Sequence, residues 1–184
     1  RLARLPNEPN NPALYDDIGA AFDKLGKHDE AIAWMEKKEA KFPGMYETFA
    51  NLGTFYFHSG QLSKGIPFIE KALEINPDAH FGRERYQLWL VQYFIEQRQF
   101  GPPDPDGKCF SKFVAERQGG EHLTPQQRQA AVQGILGMMR FGKHDSRVLL
   151  LALANLLSDG PAGRLDDAKL LAIRAVLKVG VDSR

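Results

Sequence analysis

The side chains able to do acid–base, nucleophilic or metal chemistry are few and scattered. The histidines are His28, His58, His80, His122 and His144. No two stand at helical spacing and there is no His-Glu-x-x-His, so they read as surface or helix-capping imidazoles, and no metal is expected. Cys109 is the single cysteine, which excludes an internal disulfide framework. It precedes Phe110 with no Cys-His-acid order, a setting that favours a packed small side chain over a nucleophile. "DPDGK" imitates part of a calcium loop, but Pro102 falls on the first ligand position and Phe113 on the closing acidic one, so the stretch reads as a turn. Asp16-Asp17 and Asp166-Asp167 are adjacent pairs that diverge on a helix and make no catalytic dyad. There is no phosphate loop, nucleophile elbow or dinucleotide fingerprint. The chemistry-bearing residues thus describe a chain that is not an enzyme, with no catalytic residue and no cofactor.

Bulk properties narrow the partners. Lys plus Arg number 24 and Asp plus Glu 23, a net charge of +1 over 184 residues. That balance gives no support to nucleic acid or an anionic membrane as partner. No apolar run approaches the roughly 18 residues of a membrane span. The longest, Val148 to Leu157, is interrupted by Asn155. The length suits one domain or one compact repeat array. A first residue of Arg1 is read as a removed leader or a piece of a longer protein. The compartment stays open between cytoplasm and export.

The elements that position these residues recur. Ile18-Gly19 returns as Leu52-Gly53, Gly26 as Gly60 and Pro43 as Pro77, each 34 positions on. Tyr15 and Phe22 flank the first pair as Phe49 and Tyr56 flank the second. These offsets of three, four and seven share one helical face. A mid-helix Gly costs about 1 kcal/mol against Ala, so its recurrence implies a helix crossing too close for a Cβ. Gly26 and Gly60 are placed to end helices in the left-handed conformation. Second amphipathic runs follow, carrying Ala31, Ile32 and Met35 and then Ile66, Ile69, Ala72 and Leu73, and each stops before a proline. Pro67 is expected in the first turn of its helix, where a missing amide costs nothing.

The pattern resembles the tetratricopeptide (TPR) repeat, a helix-turn-helix unit of about 34 residues. The resemblance implies an all-α fold: a short right-handed solenoid of antiparallel helix pairs with an atypical C-terminal part. Two departures stand out, Lys38 where a small residue is usual (Ala72 in the second unit) and Gly65 where the first unit has Ala31.

The expected organisation is an N-terminal extension over 1–10, TPR unit 1 over 11–44, unit 2 over 45–78 and a long transitional helix over 79–98. A loop over 99–124 follows, with a short helix around Cys109, Phe110, Phe113 and Val114, and then C-terminal helices over 125–184. Thr124 and Pro125 open the first of these helices, which runs to about Phe141 with Gly134 and Gly137 at close contacts. The next starts at Asp145 or Ser146 and runs to about Leu157. The last starts near Asp166 or Asp167 and carries Ala168, Ala172 and Ala175. Residues 146–179 together read as a degenerate third unit.

The resemblance further implies a concave groove lined by first helices and holding a peptide or a partner helix. Carried onto this chain, its contacts are Asp16, Asp17 and Asp23, then Asn51 and Phe57, then Phe81, Arg85 and Leu88. A carboxylate clamp is not expected: Asn51 and Arg85 fit one, but Asp16, Ala20 and Phe81 do not, and acidic side chains repel a carboxylate. Mixed recognition is: apolar contact from Phe57, Phe81, Leu88 and Val91, attraction of a basic segment by the three aspartates, and backbone bonds from Asn51 and Arg85. The implied function is a protein–protein interaction module. Three alternatives stay open: a groove filled by the chain's own 101–124 loop, a structural scaffold without groove ligand, and a regulatory region whose catalytic domain lies outside this chain.

Overall fold

A computed structural model describes residues 1–99, 109–142 and 146–158. Eight α-helices and two short 3-10 turns make up its regular structure, with no strand among the described residues. The fold is all-α. Two compact units divide it, Arg1–Asp78 and Ala79–Arg184.

The first unit holds two helix pairs, α1 (Pro12–Lys24) with α2 (His28–Lys41) and α3 (Tyr46–His58) with α4 (Leu62–Ile75). Each pair packs internally, and α3 also packs on α2 and α1. Their turns close alike. Gly26 (φ 74°) and Gly60 (φ 80°) take the left-handed conformation. The amides of Lys27 and Gln61 reach back to the carbonyls of Phe22 and Tyr56 at 3.0 and 2.9 Å, the Schellman closure that satisfies helix-end carbonyls. Phe42 and Asn76 are extended (φ −133° and −147°), as the residue before a proline must be. Pro67 lies inside α4, beyond its first turn. Both Pro67 and Ser63, whose carbonyl would have accepted its amide, are exposed, so water can take up the unused acceptor.

Tyr15, Ala31, Ile32, Met35, Leu52 and Phe55 form the core of this unit. The helix crossings need their glycines. A Cβ on Gly53 would meet Ile69 at 2.4 Å, and one on Gly65 would meet the Phe57 ring at 2.5 Å and the Gly53 carbonyl at 2.7 Å. Gly53 and Gly65 therefore face one another at the α3–α4 crossing.

In the second unit the expected helix from Ala79 starts later. Ala79–Gly82 is a 3-10 turn, and α5 runs Arg83–Gln99. His80 (φ 48°) and Gly82 (φ 70°) turn the backbone out of the helical region. Tyr86, Leu88, Leu90 and Val91 are all buried, so α5 is covered on more than the one face expected. The short helix expected after Cys109 is α6 (Phe110–Arg117). Its Phe110, Phe113 and Val114 join a core with Tyr86, Leu90, Ile135 and Leu156. Cys109 itself is exposed, not packed, because it stands at the N-cap with its side chain outside the helix. Helix α7 (Pro125–Phe141) opens with a capping box: Thr124 Oγ1 accepts from the Gln127 amide, and Gln127 Oε1 accepts from the Thr124 amide at 2.9 Å. Gly134 is the close contact, since a Cβ there would meet Tyr86 at 2.4 Å; at Gly137 the nearest atom, on Arg83, is at an ordinary 3.6 Å. Helix α8 runs Arg147–Ser158. Asn155 accepts the amide of Phe110 at 3.0 Å, tying the start of α6 to α8. The 101–108 turn, His144, and the final helix with Ala168, Ala172 and Ala175 lie outside the described residues, and with that helix the second half of the degenerate third unit.

Candidate functional site

The groove positions of the first unit fall into two polar clusters and a set of more open side chains. Asp16, on α1, is central to the first cluster. Its Oδ2 accepts from Lys38 Nζ at 2.6 Å, and its Oδ1 accepts from Asn51 Nδ2 at 3.0 Å. Lys38 projects from α2 and is 0% exposed, while the Asp16 side chain is 22% exposed. Burial raises the Asp16 carboxyl above its usual range, because the charged form is the one that loses hydration. The Lys38 ammonium and the Asn51 amide pull it back, and Glu47 nearby adds to the rise. Two predicted site residues, Asp16 and Asn51, are thus brought together, and they bond each other and a lysine the groove reading did not include.

Asp23 is the hub of the second cluster. His28 Nδ1 lies 2.8 Å from its Oδ1, and His58 Nδ1 lies 2.9 Å from its Oδ2. Asp23 sits in the last turn of α1, His28 begins α2 and His58 ends α3. The two imidazole rings are 6.0 Å apart and inclined at 60°. A carboxylate and two imidazoles make a donor set able to hold a divalent metal.

The other predicted residues have settings of their own. Asp17 is exposed and pairs with Arg1 at 3.3 Å, a surface contact worth about 0–1 kcal/mol. Phe57 is half-buried, its ring over Gly65. Arg85 and Leu88 belong to the second unit, where Arg85 is half-buried and Leu88 buried. Phe81 lies in the 3-10 turn before α5. Glu84, a further position that the resemblance assigns to the groove, is buried with Arg83 at 2.6 Å and His80 Nδ1 at 3.3 Å.

The repeat geometry itself defines the class: two helix pairs 34 residues apart, each closed by a glycine in the left-handed conformation. The tetratricopeptide-repeat model matches residues 12–37 and 46–79. Residues 12–79 are two tetratricopeptide repeats. The chain is also similar to "Small glutamine-rich tetratricopeptide repeat-containing protein 2" of Mycosarcoma maydis, 29% identical over 69 residues. That match covers 38% of this chain and 20% of the relative, so the chain spans about a fifth of the protein it resembles. No helix of the described residues is long and apolar enough to cross a membrane.

Proposed function

We propose that the two repeats serve as a non-enzymatic protein-interaction module, taking a basic, partly apolar peptide or helix along the surface shared by α1 and α3. What supports this reading is the pair of matched repeats, of a kind that generally mediates protein–protein contact, with acidic side chains left outward on their first helices. Asp17 and Glu47 are exposed there and attract a cationic segment. Phe57 offers apolar surface at the end of α3. Asp16 and Asn51 act mainly by fixing the wall, because their polar atoms already bond Lys38 and each other.

The same observation favours a second reading, a scaffold that binds nothing there, since the best hydrogen-bonding groups are spent internally. Selection of a displayed peptide library on the intact chain separates the two. The interaction reading expects enriched peptides rich in Lys or Arg with interspersed apolar residues, lost on Asp17→Lys with Glu47→Lys. Both sites are exposed, so the variant keeps its fold. No enrichment, or enrichment that survives the variant unchanged, removes the reading.

A further inference from the structure

We propose that Asp23, His28 and His58 form a binding site for one divalent transition-metal ion of the zinc or cobalt kind, where the two repeats join. One candidate ligand atom from each of the three lies within 4.8 Å of the others. Neutral imidazole with carboxylate selects first-row ions such as Zn²⁺ and Co²⁺ over Ca²⁺ and Mg²⁺, which want all-oxygen shells.

The geometry needs little adjustment. Bonds of about 2.0–2.2 Å to a tetrahedral ion put ligand atoms roughly 3.2–3.6 Å apart. The present nitrogen–oxygen separations are 2.8 and 2.9 Å, so those pairs open by a few tenths of an ångström, while the two imidazole nitrogens, within 4.8 Å of one another, settle to the same range. The imidazoles have room to give, with His28 28% and His58 41% exposed, while Asp23 at 11% is the fixed member. His28 also borders a depression of about 440 Å³ that reaches Ser59 and Gln61. Water can complete the shell from that side. In the metal-free chain each Nδ1–H can donate to the carboxylate. On binding, each neutral imidazole shifts its proton from Nδ1 to Nε2 by exchange with water and offers the freed Nδ1 to the ion, so no net proton is released.

The backbone favours a cation at this place. Asp23 lies in the last turn of α1 and His58 is the last residue of α3. Two negative helix ends therefore converge beside a carboxylate. His28 at the start of α2 and Lys27 beside it oppose this in part, and Asp29 and Glu30 in the same first turn restore it. The bound ion would tie the end of one repeat's first helix to the start of its second and to the end of the next repeat's first helix.

The test is titration of the chelator-stripped full chain with ZnCl₂ against a chromophoric competitor, and with CoCl₂ read by visible absorption. One ion per chain at micromolar affinity, a raised Tm, and no response to CaCl₂ or MgCl₂ are expected. His28→Gln with His58→Gln should weaken binding by more than about tenfold. Failure of the parent to bind below millimolar Zn²⁺, or equal binding by the variant, overturns the proposal. Should the variant not fold, imidazole NMR of the parent decides. Substoichiometric Zn²⁺ must shift His28 and His58; shifts confined to His80, His122 or His144 overturn the site.

Discussion

Asp16 and Lys38 meet at 2.6 Å inside the first repeat, with the lysine side chain closed off from solvent. Thirty-four positions on, the second repeat places Ala50 and Ala72, both buried. One repeat thus fills with an ion pair the space its neighbour fills with two methyl groups. Breaking a buried pair from one side costs about 3–5 kcal/mol, because an uncompensated charge stays behind. Asp16→Ala strands the enclosed ammonium and should fall in that range. Lys38→Ala strands a carboxylate that is still partly hydrated and should cost less. The double variant, which copies the second repeat, should lose clearly less than the two singles combined, as coupled neighbours do. Urea unfolding of the four proteins checks this, and strict additivity would show that the pair is not coupled.

The Asp16 carboxyl should titrate above its ordinary value of 3.8 in the folded chain, burial being the largest cause. Lys38→Met removes the hydrogen bond and the charge that hold it down, and so should raise it further. The sign for stability follows from linkage. A folded value above the unfolded one means that the folded chain binds this proton more tightly. The contribution of this group is then full below the unfolded value and is lost as pH rises through the folded value. Carbon-detected NMR of the Asp16 side chain reports the midpoint directly. A midpoint below 3.8, or one that drops in the Lys38 variant, contradicts the assignment.

The three helix-crossing glycines of the repeats should not respond alike to alanine. At Gly19 the nearest obstacle is the terminal methyl of Met35, at 2.7 Å. That group is flexible, and Ala is the better helix former by about 1 kcal/mol, so Gly19→Ala should lie within about 1 kcal/mol of the parent. At Gly65 the obstacles are the Phe57 ring and the Gly53 carbonyl. Neither can swing aside without separating α3 from α4, so Gly65→Ala should cost about 1–3 kcal/mol or more. Gly53→Ala, against the branched Ile69 and the Gly65 carbonyl at 3.0 Å, should resemble it. Thermal melts ranking Gly19→Ala as the most damaging would refute this account of the crossings.

The helix pairs of the first unit are legible in the sequence because they rest on local signals. Gly26, Gly60, Pro43 and Pro77 end helices by backbone preference alone, and Tyr15, Ile18 and Phe22 share a face by spacing alone. Thr124 with Pro125 marks a helix start for the same reason. Lys38 is visible as a departure, but its partner is not, since Asp16 lies 22 positions away and only the packing of α1 on α2 joins them. The Asp23 cluster is hidden more deeply. His58 is 35 positions from Asp23, and no spacing rule for metal ligands covers contacts made by stacking repeats. The late start of α5 rests on positive φ at His80 and Gly82: the glycine is its one compositional signal, and a histidine in that conformation gives none. Asn155 reads in the sequence as an interruption of an apolar run. In the fold it is an acceptor for another helix.

That last contact gives a prediction for the second unit. Helix α6 is eight residues long, too short to persist without tertiary support. Its N-cap, Cys109, makes no side-chain bond to the helix amides. The Phe110 amide is instead held by Asn155 Oδ1 at 3.0 Å, so a side chain on α8 supplies an acceptor at the start of another helix. Losing a helix-start acceptor costs about 1 kcal/mol, and leaving a buried amide unsatisfied costs about 1–3 kcal/mol. Asn155→Leu keeps the volume and removes the acceptor. It should lower the stability of the second unit by about 1–2 kcal/mol and speed hydrogen exchange at Phe110 more than at Ile135 in the same core. Asn155→Asp keeps an acceptor at the same reach and should restore Phe110 protection. If both variants exchange alike at Phe110, the amide is held by packing of the Phe110 ring and not by the side chain of Asn155.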